Sequence, residues 1–315
     1  ASSNTAVGDN CLNDNTTGAN NTGIGRSALA SNTTGGSGTA VGRSALTANT
    51  TGEENVAVGR AALEANTTGS FNIGIGKGAL AANTTGGYNT SVGRLSLAAN
   101  TTASNNTALG YEALTANTTG TQNVAVGYKA GQKITTGDYN VGTGGDALLD
   151  LTTGDYNSAF GKNAGENITV GSNNLCLGNG AGKTSSPSGS LSNHDDRICL
   201  GNNDITNSYI KVDWTVTSDE RDKTDIQDVS RGLDFVNQLK PKSFWFRKER
   251  GSDVKHGTKR LGFIAQDILA LEGSDPVIID NEDEDNLKYK GEHLVPILVN
   301  AIKELSAKVT ALEAG

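Results

Sequence analysis

The sequence has little of what a large compact enzyme uses to build a single core. Its 315 residues include 5% aromatic residues, 4 prolines, 3 cysteines and no methionine, with 35% hydrophobic residues and a formal net charge of -8. Apolar content this low cannot fill a thick core at such a length, so we expect repetition or oligomerisation to provide the missing burial. Because an initiator methionine is lacking, we expect a fragment of a longer polypeptide.

Long apolar runs and paired metal-ligand motifs are also missing. No stretch approaches the roughly 18 apolar residues of a membrane-spanning helix, so membrane insertion is not expected. Cys11, Cys176 and Cys199 are odd in number and lack CxxC spacing, which argues against a disulfide framework and a zinc site. The acidic run 280–285 lacks the glycine and glutamate spacing of a calcium loop and predicts a solvated hairpin tip. No metal or cofactor is expected.

What the sequence does contain is a 17-residue repeat that is marked by a glycine. A small residue and a mostly β-branched or apolar residue precede each repeating glycine, which is typical of a short strand. A leucine usually follows four residues later, and then Asn-Thr-Thr-Gly, which favours a turn. A unit this short predicts one coil of a parallel β-solenoid. The glycines in register are Gly8, Gly25, Gly42, Gly59, Gly76, Gly93, Gly110, Gly127, Gly144, Gly161 and Gly178.

Equivalent residues of successive coils should stack into ladders. We expect the Val/Ile ladder before the glycines and the leucine ladder to form a thin continuous core, and an asparagine ladder to cap the corner backbone. A second row of asparagines gives way to Ile134, Leu151 and Ile168, where the apolar interior should widen. An excess of six residues, centred on 185–189, predicts a protruding loop before the last coil.

One ladder carries positive charge in five consecutive coils: Arg26, Arg43, Arg60, Lys77 and Arg94. Two interpretations are open, contact with an anionic surface glycan or a solvated face whose long stems cover apolar rungs. Residues 1–137 hold seven Lys/Arg against six Asp/Glu, so no basic field indicates nucleic-acid binding.

The repeat signature Asn55-Val56-Ala57-Val58-Gly59 and its variants resemble the head repeats of trimeric autotransporter adhesins. The resemblance covers about residues 1–205 and implies a trimeric parallel β-roll. The fold class expected is therefore mainly β, with a small α+β domain and a trimeric coiled coil after the roll.

After the repeats the composition changes. Residues 206–217 predict a connector strand, because 208–216 alternate in polarity. From Ser218 onward there are 19 acidic and 15 basic residues, and helix patterns replace the ladders. Near the C-terminus apolar residues step by three and four, which predicts a coiled-coil seam. The seam residues are Val295, Leu298, Ile302, Leu305, Val309 and Leu312.

The last hundred residues carry three ordered motifs: Ser218–Ile226, Gly262–Asp267 with Tyr289, and Leu294–Leu305. Together they resemble the endosialidase-type intramolecular chaperone, the self-cleaving C-terminal domain of phage tail fibres and tailspikes, across residues 218–315. The resemblance implies single-turnover autoproteolysis at Thr217-Ser218, with Ser218 as nucleophile and Lys223 as base. A lysine amine can accept the serine proton when burial favours its neutral form. The alternative is a Ser N-cap beside a solvated lysine in an acidic helix start.

We therefore expect a homotrimeric phage tail-fibre segment for host attachment, part of the virion, that binds a host surface receptor of glycan type. A bacterial trimeric surface adhesin is the alternative, although it would need a membrane anchor. A glycan-degrading tailspike is a lesser alternative, because it needs paired carboxylates in a cleft and acids are sparse in the repeats.

Overall fold

The computed structural model describes residues 3–184, 186–211, 216–248 and 250–315. The chain divides into two compact units, Ala1–Asp204 and Ile205–Gly315. Each unit is built on its own pattern, the first on the glycine-marked repeat and the second on amphipathic helices and hairpins.

The first unit is a parallel β-solenoid with one three-residue strand in each coil, as the repeat predicts. Neighbouring strands pair in register one repeat apart, so that Ala57 lies opposite Gly74. The twelve strands of the described residues form one sheet in chain order. They are β1 (Thr5–Val7), β2 (Thr22–Ile24), β3 (Thr39–Val41), β4 (Val56–Val58), β5 (Ile73–Ile75), β6 (Thr90–Val92), β7 (Thr107–Leu109), β8 (Val124–Val126), β9 (Val141–Thr143), β10 (Ser158–Phe160), β11 (Leu175–Leu177) and β12 (Ile198–Leu200).

The repeating glycine follows each of the first eleven strands because the corner tolerates no side chain. Gly59 has a φ of +133°, a region that residues with a Cβ rarely adopt. A Cβ added there would lie 2.6 Å from the carbonyl oxygen of Gly76 in the next coil. A glycine is therefore required at every seventeenth residue because the backbones of successive coils approach closely at this corner.

The prediction that the Val/Ile ladder forms the core is wrong, whereas the leucine ladder is confirmed. In strands β2 to β12 the middle residue is buried: Ala57 is fully buried, while Val58 and Ile75 are 37% and 38% exposed. The interior is narrow, and the buried leucines of the turns, such as Leu63 beside Gly74, already fill the space against the strands. Only small side chains fit at the inward position, so the large apolar residues lie on the outer surface.

Two asparagine ladders complete the interior. In the corner ladder the Asn55 side-chain oxygen accepts the Asn72 backbone N–H at 2.9 Å, and its amide donates to the Gly69 carbonyl at 2.7 Å. In the second ladder each amide donates to the asparagine of the preceding coil, ending at Asn117. Ile134 occupies the next rung, and the buried Asn117 side-chain oxygen has no hydrogen-bond partner in the described structure.

The predicted widening of the apolar interior is confirmed beyond that rung. Ile134, Leu151 and Ile168 are all buried within the core. The predicted insertion lies between β11 and β12, whose strands still pair in parallel although the chain between them is longer than in the other coils. It returns Leu191 to the core, and the Ser186 hydroxyl donates to the Lys183 carbonyl at 2.7 Å. Ser185 of the predicted loop lies outside the described residues.

The second unit combines, in its described part, three α-helices with two hairpins. Its elements are α1 (Leu233–Gln238), β13 (Lys242–Arg247), β14 (Lys255–Gly262), α2 (Ala265–Glu272), β15 (Ile279–Asp280), β16 (Lys288–Tyr289) and α3 (Leu294–Glu313), with 3₁₀ turns at Glu220–Asp222 and Gly291–His293. Strands β13 and β14 pair antiparallel, as do β15 and β16. The acidic run 280–285 lies at the second hairpin, as predicted.

Helix α3 has two apolar faces, and the second unit covers only one. Leu294, Ile297 and Ala301 are buried on the inner face. The predicted seam lies on the other face, where Val295 is 56% exposed and Ile302 65% exposed. A helix with an uncovered apolar row of this length is typical of one strand of a coiled coil.

The described residues of the predicted connector strand, 206–211 and 216–217, form no strand. The rest of that segment, 212–215, lies outside the described residues. The polarity alternation of 208–216 therefore does not correspond to a strand wherever the backbone is described.

Candidate functional site

The structure brings the predicted nucleophile and base into direct contact. The Lys223 Nζ donates to the Ser218 Oγ at 2.8 Å and to the Ser218 carbonyl oxygen at 3.1 Å. Both residues, and Thr217 before them, are exposed in the single chain. A hydroxyl and an amine one hydrogen bond apart have the separation that proton transfer requires.

A 3₁₀ turn at Glu220–Asp222 produces this contact by reversing the chain. The Lys223 N–H donates to the Glu220 carbonyl at 3.1 Å, which closes the turn. Asp219 is the N-cap, and its side chain accepts the Arg221 N–H at 2.9 Å. The cap is therefore Asp219 and not Ser218, so the Ser218 hydroxyl is left to the lysine amine.

Arg221 forms an ion pair with Asp219, the residue that follows Ser218. Its guanidinium donates to both Asp219 oxygens, at 3.0 and 2.7 Å. This side-chain pairing, with the backbone N–H of the same arginine, lowers the pKa of Asp219. Within the described part of the chain Lys223 makes no ion pair, and its amine hydrogen-bonds to Ser218 alone.

A second polar cluster, which sequence reasoning missed, lies at the end of α2. The side chain of Glu272 is fully buried and pairs with Arg231 at 2.8 Å. Its two oxygens accept the backbone N–H groups of Val277, Ile278 and Ile279 at 2.8 to 2.9 Å. Burial acts to raise the pKa of Glu272, but the three N–H donors and the guanidinium outweigh it, and the net pKa is lowered. The cluster fixes the chain that enters β15.

Replacing Glu272 with glutamine should lower the free energy of unfolding of the second unit by about 3 kcal/mol, because it removes a fully buried charge and leaves the partly buried Arg231 guanidinium without its counter-charge. The folded-state pKa is depressed, so the stabilisation is complete above the ordinary carboxyl pKa of about 4.3 and is lost as the pH falls through the lower folded value. The variant should lack this acid-dependent loss.

Urea unfolding followed by far-UV circular dichroism measures this, because all the described α-helices lie in the second unit. Glu313→Gln, at the exposed end of α3, is the matched control and should behave as wild type. Equal acid sensitivity of wild type and Glu272→Gln would contradict the assignment.

The predicted basic row is exposed along the solenoid, and within the described residues none of its five members makes an ion pair. The structure extends the row with Tyr111 and Tyr128, whose rings stack with centroids 5.5 Å apart. The Arg94 guanidinium lies 5.4 Å from the Tyr111 ring centroid. These tyrosines share the repeat position of the basic residues, and that shared position was the signal that could have identified them. They were missed because only charged residues were considered at this position.

A second exposed row, also missed, lies before the strands. Phe71 stacks on Tyr88 with centroids 4.8 Å apart, and Tyr139 stacks on Tyr156 at 5.0 Å. All four occupy the same position of the repeat, and all have positive φ values between 57° and 60°. The row is mostly aromatic or polar and includes one acid in the middle coils, Glu54.

Within the described ranges no group of three or more His, Cys, Asp or Glu side chains is placed to hold a metal ion. In the same part of the chain no helix is both long and apolar enough to cross a membrane.

The family model described as chaperone of endosialidase matches residues 218–274. The match begins at Ser218 and includes Lys223 and the Arg231–Glu272 pair. It ends before Tyr289 and α3, two of the features on which the sequence resemblance was based. No curated protein matches the chain, and no solved structure does.

The matched residues therefore lie wholly within the second unit, after the β-solenoid in the chain.

Proposed function

We propose that the chain is a homotrimeric phage tail-fibre segment for host attachment, part of the virion, and that residues 218–315 assemble the trimer and then cut themselves off. The observation that carries the proposal is the hydrogen bond of 2.8 Å between Lys223 and Ser218 at the first residue of the matched domain. A nucleophile and base at the domain's own boundary are suited to releasing that domain.

The proposed reaction is an attack of the Ser218 Oγ on the Thr217 carbonyl carbon, with Lys223 accepting the hydroxyl proton. The C–O bond forms and the C–N bond to Ser218 breaks, and the lysine returns the proton to the leaving amine. Water then hydrolyses the ester, which leaves the Thr217 carboxylate and restores the serine hydroxyl.

Exposure of the dyad in one chain fits a cut that follows assembly. Burial favours the neutral form of a lysine amine, and neighbouring copies packed around the site would provide that burial. Cleavage would thus be delayed until the chaperone domain has assembled the trimer. After cleavage the fibre would be kinetically trapped, because its three chains must unfold together.

Two uncovered apolar surfaces support the trimer. One is the outer face of the solenoid strands, which carries Ile24, Ile75 and Leu109, each 38–41% exposed. The other is the seam face of α3. Largely apolar rows of this extent are typical of surfaces buried by association.

The test combines light scattering, intact mass and ligand binding on one preparation. We expect a particle of three times the 32.4 kDa chain mass before cleavage, followed by fragments that end at Thr217 and begin at Ser218. The trimer of residues 1–217 should then bind members of a panel of bacterial surface polysaccharides. A monomer at micromolar concentration would contradict the assembly, and a trimer that binds no surface component would contradict attachment.

A further inference from the structure

Three parallel rows run along the solenoid on its uncovered side. The middle row is the outer face of the strands, with Ile73 and Ile75 as one coil's contribution. The row after the strands holds the basic residues, such as Lys77, and the row before the strands holds the aromatic residues, such as Phe71. Because the strand lies between them, the basic and aromatic rows occupy opposite edges of one apolar face.

A rotation axis parallel to the solenoid determines which edges of neighbouring copies come into contact. When copies turn their apolar faces to a common axis, the edge after the strand of one copy meets the edge before the strand of the next. Pure rotation leaves each coil at its own height. Each residue one position after the repeating glycine therefore meets the residue five positions before that glycine in the same coil of the neighbouring copy.

The residues at these two positions are complementary from coil to coil. Arg60 would meet Glu54, an opposite charge, and Lys77 would meet the ring of Phe71, a cation–π geometry. Gly145, which has no side chain, would meet Tyr139 and leave room for its ring. In none of the twelve coils does this contact bring two like charges together. Each of the nine remaining coils pairs polar, aromatic or charged groups that can form hydrogen bonds.

The remaining pairs, in chain order, are Asp9 with Ser3, Arg26 with Asn20, Arg43 with Ser37, Arg94 with Tyr88, Tyr111 with Asn105, Tyr128 with Gln122, Lys162 with Tyr156, Asn179 with Asn173 and Asn202 with Asp196.

We infer that the basic row and the aromatic row are the two halves of one interface between neighbouring copies of this chain, paired coil by coil. The inference rests on the proposed trimer and adds its register. It assigns the five cations of the basic row, which form no ion pair within the described residues, to a second copy of the chain and not to a glycan. Opposite charges and cation–π contacts at a rim fix register more than they add affinity, which suits an interface whose centre carries similar side chains in successive coils.

Disulfide trapping tests the register. Cysteines at Glu54 and Arg60, in a Cys11→Ser background, should link neighbouring copies into covalent dimers and trimers under mild oxidation with oxidised glutathione. Within one chain the three-residue strand separates these positions by more than about 10 Å at about 3.3 Å per residue. A disulfide needs Cα atoms within about 7 Å, so a bond within one chain is excluded. The offset pair Glu54→Cys with Arg43→Cys is the control and should remain reduced.

Charge reversal provides a second measurement that needs no new bond. Arg60→Glu should raise the protein concentration at which the trimer dissociates by about tenfold, since three pairs become repulsive, and Glu54→Arg with Arg60→Glu should restore it. The pairing would be overturned, but not the trimer, by a protein that is trimeric in light scattering while the cysteines of Glu54→Cys with Arg60→Cys stay reduced. The same conclusion would follow if the offset pair formed the disulfide instead. A monomer overturns both. Loss of polysaccharide binding in Arg60→Glu with free 54/60 cysteines would assign the row to a glycan.

Discussion

Replacement of Ser218 with alanine is expected to leave the chain at full length, while the wild-type chain gives a fragment that begins at Ser218. Removing a nucleophile deletes the covalent step, and removing its base deletes the proton transfer that activates it. Losses of about 10³-fold or more are typical of such groups. Lys223→Ala should therefore match Ser218→Ala, and the double variant should be no slower than either, because the pair acts as one unit. Intact mass and N-terminal sequencing of timed samples measure the rate.

Folding and cleavage should separate in these variants. The side chains of Ser218 and Lys223 are exposed and hydrogen-bond only within this pair of residues, so their loss removes no core contact. Ser230→Ala and Lys240→Ala, which change exposed residues of the same types, are the matched controls and should cleave as wild type. A correctly assembled wild-type trimer with Ala1 as its single N-terminus after long incubation would remove the autoprotease and leave the chaperone proposal in place.

The architecture of the first unit follows from its glycine register, but the inward face of its strands does not. A strand of three residues offers one side chain to one face and two to the other, and polarity alone favours placing the two larger residues inside. Packing decides otherwise, because the buried leucines of neighbouring turns leave space only for the small middle residue, as at Gly74 beside Leu63 of the preceding turn. The volume of the coil interior is a property of stacked backbones and is not visible in one repeat.

The conformation of those leucines could not be anticipated either. Leu63 has a φ of +52° and Leu97 of +48°, in the left-handed region that residues with a Cβ avoid at a cost of about 1–2 kcal/mol. The structure offsets this cost with a fully buried side chain and a hydrogen bond from the Leu63 N–H to the Ala79 carbonyl at 2.9 Å. Both compensations come from the next coil, so a local rule applied to one repeat assigns a different backbone.

In the candidate site, too, contacts between residues close in the chain could be predicted from the sequence, whereas contacts between distant residues could not. Ser218 and Lys223 are close in the chain, and the acidic turn between them was readable from the sequence, although the cap falls on Asp219. The Glu272 cluster was not readable, because its partner Arg231 is distant in the chain and the N–H donors of Val277 and Ile278 come from a loop without regular structure. Only the folded chain brings one carboxylate to all of these donors.

Aspartates along the outer strand face are expected to convert the trimer into monomers at micromolar concentration. The variant Val58→Asp, Ile75→Asp and Val92→Asp changes three successive rungs of the row that we propose to face the other copies. In a single chain these side chains are partly exposed, so the solenoid should keep its fold. In the trimer each rung would bring three carboxylates together without counter-charges, and each buried unpaired charge costs several kcal/mol.

The control carries the same charge in an exposed turn: Thr68→Asp, Thr85→Asp and Thr102→Asp occupy one position of three successive repeats. Both variants place aspartates about 4.8 Å apart along successive coils, so the repulsion within one chain is the same in both. The two variants differ only in whether the aspartates lie on the strand face or in the turn. Light scattering should give a trimer for the turn variant and a monomer for the strand-face variant, with equal far-UV circular dichroism. If both remain trimeric, the strand face is not the interface, and assembly through α3 alone would have to account for the trimer.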